Sequence, residues 1–586
     1  MFQCDAYFLG PKSENADIAE VGFQTILNHW FDWRRSLFPR DRVAISVERR
    51  ESEAFKLEEE RLFSEVRNLC DMLLAETPTY TPRYFGHMVS EISLPSLFGH
   101  FATLLHNPNN TSREVSKVGA RMESEAVSML AKMVGYDSQL AQGHFTCGGT
   151  ISNFEAVWRA RYRIDHALAL GLCVAEKNHT PLNVFDSAHM GWDEFDRIAK
   201  ANNINDSTMR RASGVLNNPY SIGRRISDCS VAPYLGPVLI TPGNKHFSWR
   251  KAANIFNLGE EAFLNAPLDS TGRLDVVGLG ELIERCRQQG RPILCVVTVA
   301  GTTEAGEIDP IDEVANLLDQ YRAKGIHIWH HVDAAFGGFF CSMLGGDAER
   351  SLSESRASAL RAMRTAESVT LDPHKLGYVP YACGAFLTKD ERSYTASSFH
   401  APYIDRADKT DKWRSTIEGS RTAAGAAATW LTGRTFRFDA DRFGRMLSKT
   451  IHVRKMFEKR LAAECDGVKL LKPADTNILC FSVFKPGDKL SVRNRRTAYV
   501  FEKFQTDPAF AISKTIFDVD SYEKLINEHT VGGGVNDVSC LVLARCVFMN
   551  PFLANEDIQA SLLDKFVARL SHYVSESMEF SENGNY

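Results

Sequence analysis

Four short segments carry residue types that could do chemistry together. Lys375 stands in LDPHKLGYVPY (residues 371–381), where a short apolar run breaks into a stretch dense in aromatic and turn-forming residues. An ε-amine at that point can project from the carboxyl end of a parallel sheet, where α/β proteins bind ligands. Asp333 stands in HVDAAFGG (residues 331–338), at the end of a hydrophobic run. A carboxylate there is costly to bury unless it is paired. The small Ala334 and Ala335, then Gly337 and Gly338, leave room for a flat ring against the backbone. GHFTCGGTISN (residues 143–153) opens a helical segment. Its glycines and hydroxyls can cradle an anion, because free N–H groups and the positive end of the helix dipole face the same way. KHFSWR (residues 245–250) follows the run PVLIT and offers His246 as a ring to stack on another.

Taken singly, a lysine after a strand, a capping aspartate, a capped helix and a core histidine are the commoner uses of these residues. Together they describe one ligand. Pyridoxal 5′-phosphate needs an amine that condenses with its aldehyde, an acid opposite its ring nitrogen, a phosphate cradle and a stacking partner. The chain supplies them in the order cradle, stacker, acid, lysine. Asp333 and Lys375 are 375 − 333 = 42 residues apart, enough for one crossover and a second strand.

The elements that must position these groups are legible as short apolar runs alternating with helical patterns, which signals an α/β sheet with crossover helices. The runs are Pro237–Thr241, Ile293–Val299, Ile326–Val332, Ser368–Leu371 and Ala385–Thr388. Between the second and third, Asp309 is placed to cap a helix, Pro310 to start it and Gly325 to end it. That spacing predicts a right-handed βαβ crossover. Residues 1–118 read as mainly helical, with Glu51–Leu74 as one helix. Residues 119–435 read as the large α/β domain. Residues 436–586 read as a smaller C-terminal domain with strands at Asn477–Val483 and Ser539–Phe548 and a helix near 555–575.

The chain has 586 residues, 44% hydrophobic and 24% charged, with a net charge of −5. That composition excludes a disordered chain and gives no global charge reason to bind nucleic acid or an anionic membrane. No apolar run reaches the length of a membrane span. The opening residues read without a secretory signal. Thirteen scattered cysteines with no CxxC pair argue against a disulfide framework and suit a reducing cytoplasm. No nucleotide-binding loop of the GxxxxGK[ST] or GxGxxG type is present. His327, His330 and His331 invite a metal site, but on one strand the first and last face one side and the middle one the other.

HVDAAFGG and DPHKLGYVPYACGAF resemble the group II pyridoxal-phosphate-dependent amino-acid decarboxylases. Within that family TPRYFGHMVSEISLP (residues 81–95), DPHKLGYVPY and FHAPY (residues 399–403) most resemble the bacterial tyrosine decarboxylases. The likeness is good over residues 80–435, weak over the first 75 and patchy after 436. It implies an α/β fold of the fold type I (aspartate aminotransferase-like) class: a mainly parallel seven-stranded sheet with helices on both faces and a smaller α+β C-terminal domain. It implies pyridoxal 5′-phosphate as cofactor and a homodimer with a shared active site. By the same resemblance Lys375 binds the cofactor covalently and Asp333 pairs with its ring nitrogen. Ala335 packs on the ring face opposite His246, Gly149, Thr150 and His374 meet the phosphate, and Thr303 lies beside the phenolic oxygen. Tyr403 is the tyrosine that returns a proton to the substrate carbon, with His246 as second choice.

Tyr84, His87, Tyr381 and Arg545 are candidates for the substrate pocket, with Arg83 and Ser90 nearby in sequence. The expected reaction is decarboxylation of an L-amino acid to its amine and carbon dioxide, with an aromatic substrate such as tyrosine. The loop from Phe399 to Trp413 is more charged than a tyrosine enzyme suggests. Decarboxylation of glutamate or aspartate, or another lyase or transaminase reaction on the same fold, are the alternatives.

Overall fold

The computed structural model describes residues 4–397, 412–530 and 536–579. Its centre is a seven-stranded sheet built from β1 (Gln142–Thr146), β2 (Val238–Pro242), β3 (Phe263–Ala266), β4 (Ile293–Val299), β5 (His330–Asp333), β6 (Ser368–Leu371) and β7 (Gly384–Thr388). The spatial order is β1-β7-β6-β5-β4-β2-β3. Strands β3, β2, β4, β5 and β6 run parallel, while β7 is antiparallel to both β6 and β1. This is the mainly parallel seven-stranded sheet expected. Every residue of β2, β4 and β7 is buried, as strands covered on both faces require.

A second sheet of five strands joins Tyr84–Phe85 to Val468–Leu470, Ile478–Val483, Ala511–Asp518 and Cys540–Val547. Tyr84–Phe85 pairs in parallel with Ala511–Ile512, so the turn-rich stretch near residue 84 is stitched to the C-terminal region. Phe85 is fully buried there among Phe457, Phe510, Phe548 and Phe566.

Several local expectations give way to stronger local demands. The helix after β4 runs Ile311–Arg322 and starts from Pro310, without a side-chain cap. Asp309 does not cap it, because the fully buried carboxylate accepts instead from the N–H groups of Leu274 and Val299. Two buried backbone donors, one at the end of β4 and one in the loop before the helix Val276–Gln288, need that acceptor. The expected strand 326–332 is regular only over His330–Asp333. The predicted helix 51–74 is interrupted at Ser52, which ends Val47–Glu51 and caps Glu53–Leu73 through the Phe55 N–H. Gly143 lies inside β1, outside any cradle.

Helices Ala16–Leu37 and Glu53–Leu73 bury no residue of their own. Leu57, Leu62, Phe63, Val66 and Leu69 of the second are all exposed. All thirteen cysteines are free, and among the described residues no helix is long and apolar enough to cross a membrane.

Candidate active site

The carboxyl ends of β4, β5 and β6 meet the first turn of the helix Gly149–Asn178 around a cavity of about 340 Å³. Lys375, Asp333, His246, Gly149, Thr150, Thr303, Ala335 and His374 all line it. These candidates come from strand ends, loops and the first turn of that helix at the same edge of the sheet, so the topology gathers residues spread over 226 positions (375 − 149) from Gly149 to Lys375. Gly337 and Gly338 do not line it. Gly337 lets the loop after β5 approach that after β4, where a Cβ would sit 2.4 Å from the Ala300 carbonyl, and a Cβ on Gly338 would strike Leu371. Their smallness serves packing rather than a ligand.

Asp333 ends β5 and is 4% exposed. Its Oδ2 accepts from Asn153 Nδ2 at 2.8 Å and from Trp249 Nε1 at 3.0 Å. Its Oδ1 has a 3.3 Å contact from the Ala335 N–H. Sequence reasoning singled out the segments holding Asn153 and Trp249 and missed both residues. Lys375 Nζ lies 3.2 Å from Asp372 Oδ2, which also faces His374 Nε2 at 3.4 Å. Asp372 Oδ1 is buried without a partner.

His246 Nδ1 pairs with Ser248 Oγ at 2.9 Å. Burial holds its pKa below the ordinary histidine value; Asp333 opposes this and Lys375 adds to it. The ring is therefore neutral near pH 7, as suits stacking. Burial likewise lowers His374, with Asp372 opposing and Lys375 assisting. The Nδ1 of His374 accepts from the Cys383 N–H, and its ring stacks on Tyr381 at 4.1 Å between centroids.

The substrate candidates do not line the cavity, but Arg545 and Tyr381 each touch a residue that does. Arg545 donates through Nη1 to the Thr303 carbonyl and through Nε to Ser513 Oγ. Its Nη2 lies 3.1 Å from His87 Nδ1. An arginine only donates, so His87 Nδ1 is the acceptor and Nε2 carries the proton. Burial and then the Arg545 charge keep His87 below its ordinary value. The Tyr84 hydroxyl accepts from the His87 N–H at 3.1 Å. Tyr381 is 59% exposed, so it flanks the cavity rather than closing it. Arg83 points away, to the Ala509 carbonyl and the Phe510 ring, and Ser90 is buried with its hydroxyl unpartnered. Tyr403 lies outside the described residues. His330 and His331 face Thr298 and Ser368 respectively, and among the described residues no cluster of metal-ligating side chains forms.

The donor set fits pyridoxal 5′-phosphate: an amine and an acid in one cavity, a neutral imidazole, and a helix N-terminus lined by glycine. The cradle is shaped by what is missing. A Cβ at Gly149 would lie 3.0 Å from Asp372 Oδ2 and 3.2 Å from the Ala335 methyl.

The fold and the site together define a fold type I pyridoxal-phosphate enzyme. Solved structures of that fold share it: the apo form of mouse CSAD superposes with a TM-score of 0.63 at 19% identity, covering 92% of each chain. The pyridoxal-dependent decarboxylase conserved domain matches residues 229–484. An L-tyrosine decarboxylase of Levilactobacillus brevis is 26% identical over 98% of this chain and 96% of its own. A probable L-tyrosine/L-aspartate decarboxylase of Methanothermobacter thermautotrophicus is 39% identical over 33% of this chain and 47% of its own. The chain carries the pyridoxal-dependent decarboxylase domain and is a pyridoxal-phosphate-dependent amino-acid decarboxylase, similar to the tyrosine decarboxylases over nearly its whole length.

Proposed function

We propose that the enzyme decarboxylates L-tyrosine. One observation carries the choice of side chain. Arg545 has its Nε and both Nη atoms engaged by Ser513, Thr303 and His87. The residue it holds, His87, keeps a neutral Nε2–H and packs against Tyr84, whose hydroxyl accepts from its N–H. A neutral donor among aromatic rings suits a phenol better than a carboxylate, whose burial calls for a free cation. The test is a panel of L-tyrosine, L-glutamate, L-aspartate and L-2,4-diaminobutyrate with amine identification. Tyramine as the main product is expected; a higher kcat/KM for either acidic substrate overturns the reading.

The bound cofactor supplies an electron sink for the pair released when the Cα–carboxylate bond breaks. The residues prepare and follow that event. Lys375 would tether the cofactor through its ε-amine. Asp333 would hold the proton of the ring nitrogen by opposite charge, an effect strengthened in a dry site. His246 and Ala335 would hold the ring, Gly149, Thr150 and His374 would hold the phosphate, and Thr303 would serve the phenolic oxygen. After carbon dioxide leaves, Tyr403 delivers a proton to the substrate Cα, with His246 the second choice.

The exposed apolar side chains of Glu53–Leu73 support a second copy of the chain as their cover, hence a homodimer. Light scattering at twice 65.6 kDa checks this. We read residues 1–118, 119–435 and 436–586 as the three parts of the protomer, and the thirteen free thiols favour a cytoplasmic enzyme.

A further inference from the structure

We propose that Trp249 and Asn153 are positioning residues that assign the two oxygens of Asp333 to different tasks: Oδ2 is held by the protein, and Oδ1 is left for the cofactor's ring nitrogen. The inference rests on Asp333 meeting that nitrogen.

The geometry is unequal at the two oxygens. Oδ2 takes two short hydrogen bonds, 2.8 Å from Asn153 and 3.0 Å from Trp249. Among the described residues Oδ1 has only the 3.3 Å contact to the Ala335 N–H. Both donors are neutral and deeply buried, Trp249 at 0% and Asn153 at 1% exposure. A buried indole N–H needs an acceptor, and Asp333 is the one it has.

Asn153 is oriented by its donor end alone. Its Nδ2 bridges Asp333 Oδ2 and Ser248 Oγ, at 2.8 and 3.0 Å, while its Oδ1 is buried without a partner. Turning the amide over would set oxygen against carboxylate oxygen, so the acid fixes the amide and the amide fixes the acid. Ser248 passes the constraint on, because its Oγ also lies 2.9 Å from His246 Nδ1. The partner of the ring edge and the partner of the ring face therefore belong to one hydrogen-bonded set. Without these donors the carboxylate could rotate about its Cβ–Cγ bond and offer either oxygen at a changed angle.

The test compares two cofactors on the purified enzyme: pyridoxal 5′-phosphate and its analogue with carbon in place of the ring nitrogen. Apoenzyme is reconstituted with each, and the dissociation constant and the pH titration of the bound chromophore are read. Trp249→Phe keeps most of the ring volume and removes the N–H. Asn153→Leu removes the second donor at similar size. Loss of one hydrogen bond to a charged acceptor predicts roughly ten- to hundred-fold weaker binding of the natural cofactor. It also predicts a shifted chromophore titration, a fall in kcat at little-changed KM, and binding of the analogue within about twofold of the unmodified enzyme.

Equal weakening of both cofactors, in either variant that folds, marks a merely structural role and overturns the inference. So does unchanged binding of the natural one. Asp333→Asn in the same assay tests the underlying reading separately. If it too weakens both cofactors equally, Asp333 does not address the ring nitrogen. If it selectively weakens the natural cofactor while Trp249→Phe does not, only the positioning role fails.

Discussion

Replacing Arg421 by methionine would loosen the cofactor cradle from behind. The guanidinium, 5% exposed, meets both carboxylate oxygens of the buried Glu123, the Phe145 carbonyl at 3.2 Å and the Asn110 carbonyl at 3.0 Å. Glu123 in turn accepts from the Phe145 N–H at 2.9 Å. One ion pair thus clamps β1 two residues before Cys147, where the cradle begins. Methionine keeps the length of the side chain and leaves Glu123 as a buried charge with no counterion. Breaking a buried pair from one side costs about 3–5 kcal/mol. The effect is local, so the assay is hydrogen exchange of the peptide spanning residues 142–148 in the holoenzyme. At about 1.4 kcal/mol per tenfold, exchange there should quicken by roughly 140- to 3,700-fold. The double variant Glu123→Leu with Arg421→Met removes both charges and should recover much of the protection, because a hydrophobic pair of similar volume tolerates the site. Less than tenfold acceleration in the single variant, or a double variant worse than the single one, would refute the reasoning.

Three further outcomes are expected. Gly149→Ala places a methyl 3.0 Å from Asp372 Oδ2 and should weaken cofactor binding about tenfold, a displacement on the order of the 1–3 kcal/mol of local overpacking; an unchanged dissociation constant counts against the cradle. Tyr403→Phe should retain carbon dioxide release while the yield of amine falls and by-products accumulate, and full amine yield without by-products would contradict the assigned proton donor. Burial pushes His330 down to about 4, so the unfolded chain takes up a proton below about pH 6.5 that the folded one refuses; stability from this group is intact above pH 6.5 and lost as pH falls toward 4. Denaturant titrations of wild type and His330→Gln should therefore converge by about 2 kcal/mol between pH 7 and pH 5, and a pH-independent gap would show that His330 is not held neutral.

The parts of the site legible in the sequence are those whose chemistry depends on one residue in a recognisable local frame. Lys375 and Asp333 each follow an apolar run and precede small or turn-forming residues, so strand-end placement follows from the pattern alone. Trp249 and Asn153 carry no such mark. An indole after a serine and an amide one turn into a helix look like core residues, and only the tertiary approach of three elements brings them onto one oxygen of Asp333. Asp309 misled for the same reason in reverse. Its place before Pro310 is a capping pattern, yet two buried backbone N–H groups, on Leu274 and Val299, compete for it and win. The helix Glu53–Leu73 was readable from its periodicity, but periodicity does not say what the apolar face meets, and among the described residues Leu57, Leu62, Phe63, Val66 and Leu69 stay exposed.

The helix Gly149–Asn178 shows why so few elements suffice to organise this chemistry. Its first residues form the cradle, and one turn on, Asn153 holds Asp333. Glu155 and Arg159, four apart and fully buried, then bind each other and the chain on both sides of the segment that contains Tyr403. Arg159 donates to the carbonyls of Tyr394 and Ser415, and Glu155 accepts from the Ile417 N–H at 2.7 Å. Burial alone would raise the Glu155 carboxyl, but Arg159, His144 and the Ile417 N–H outweigh it and bring it down to about 2. The charge therefore persists across the working pH range. A rigid rod with a fixed 1.5 Å rise per residue sets the spacing between all three tasks. The lining of the cavity by Gly149 and Thr150, the orientation of the acid and the anchorage of residues 394 and 415–417 are thus coupled by backbone geometry.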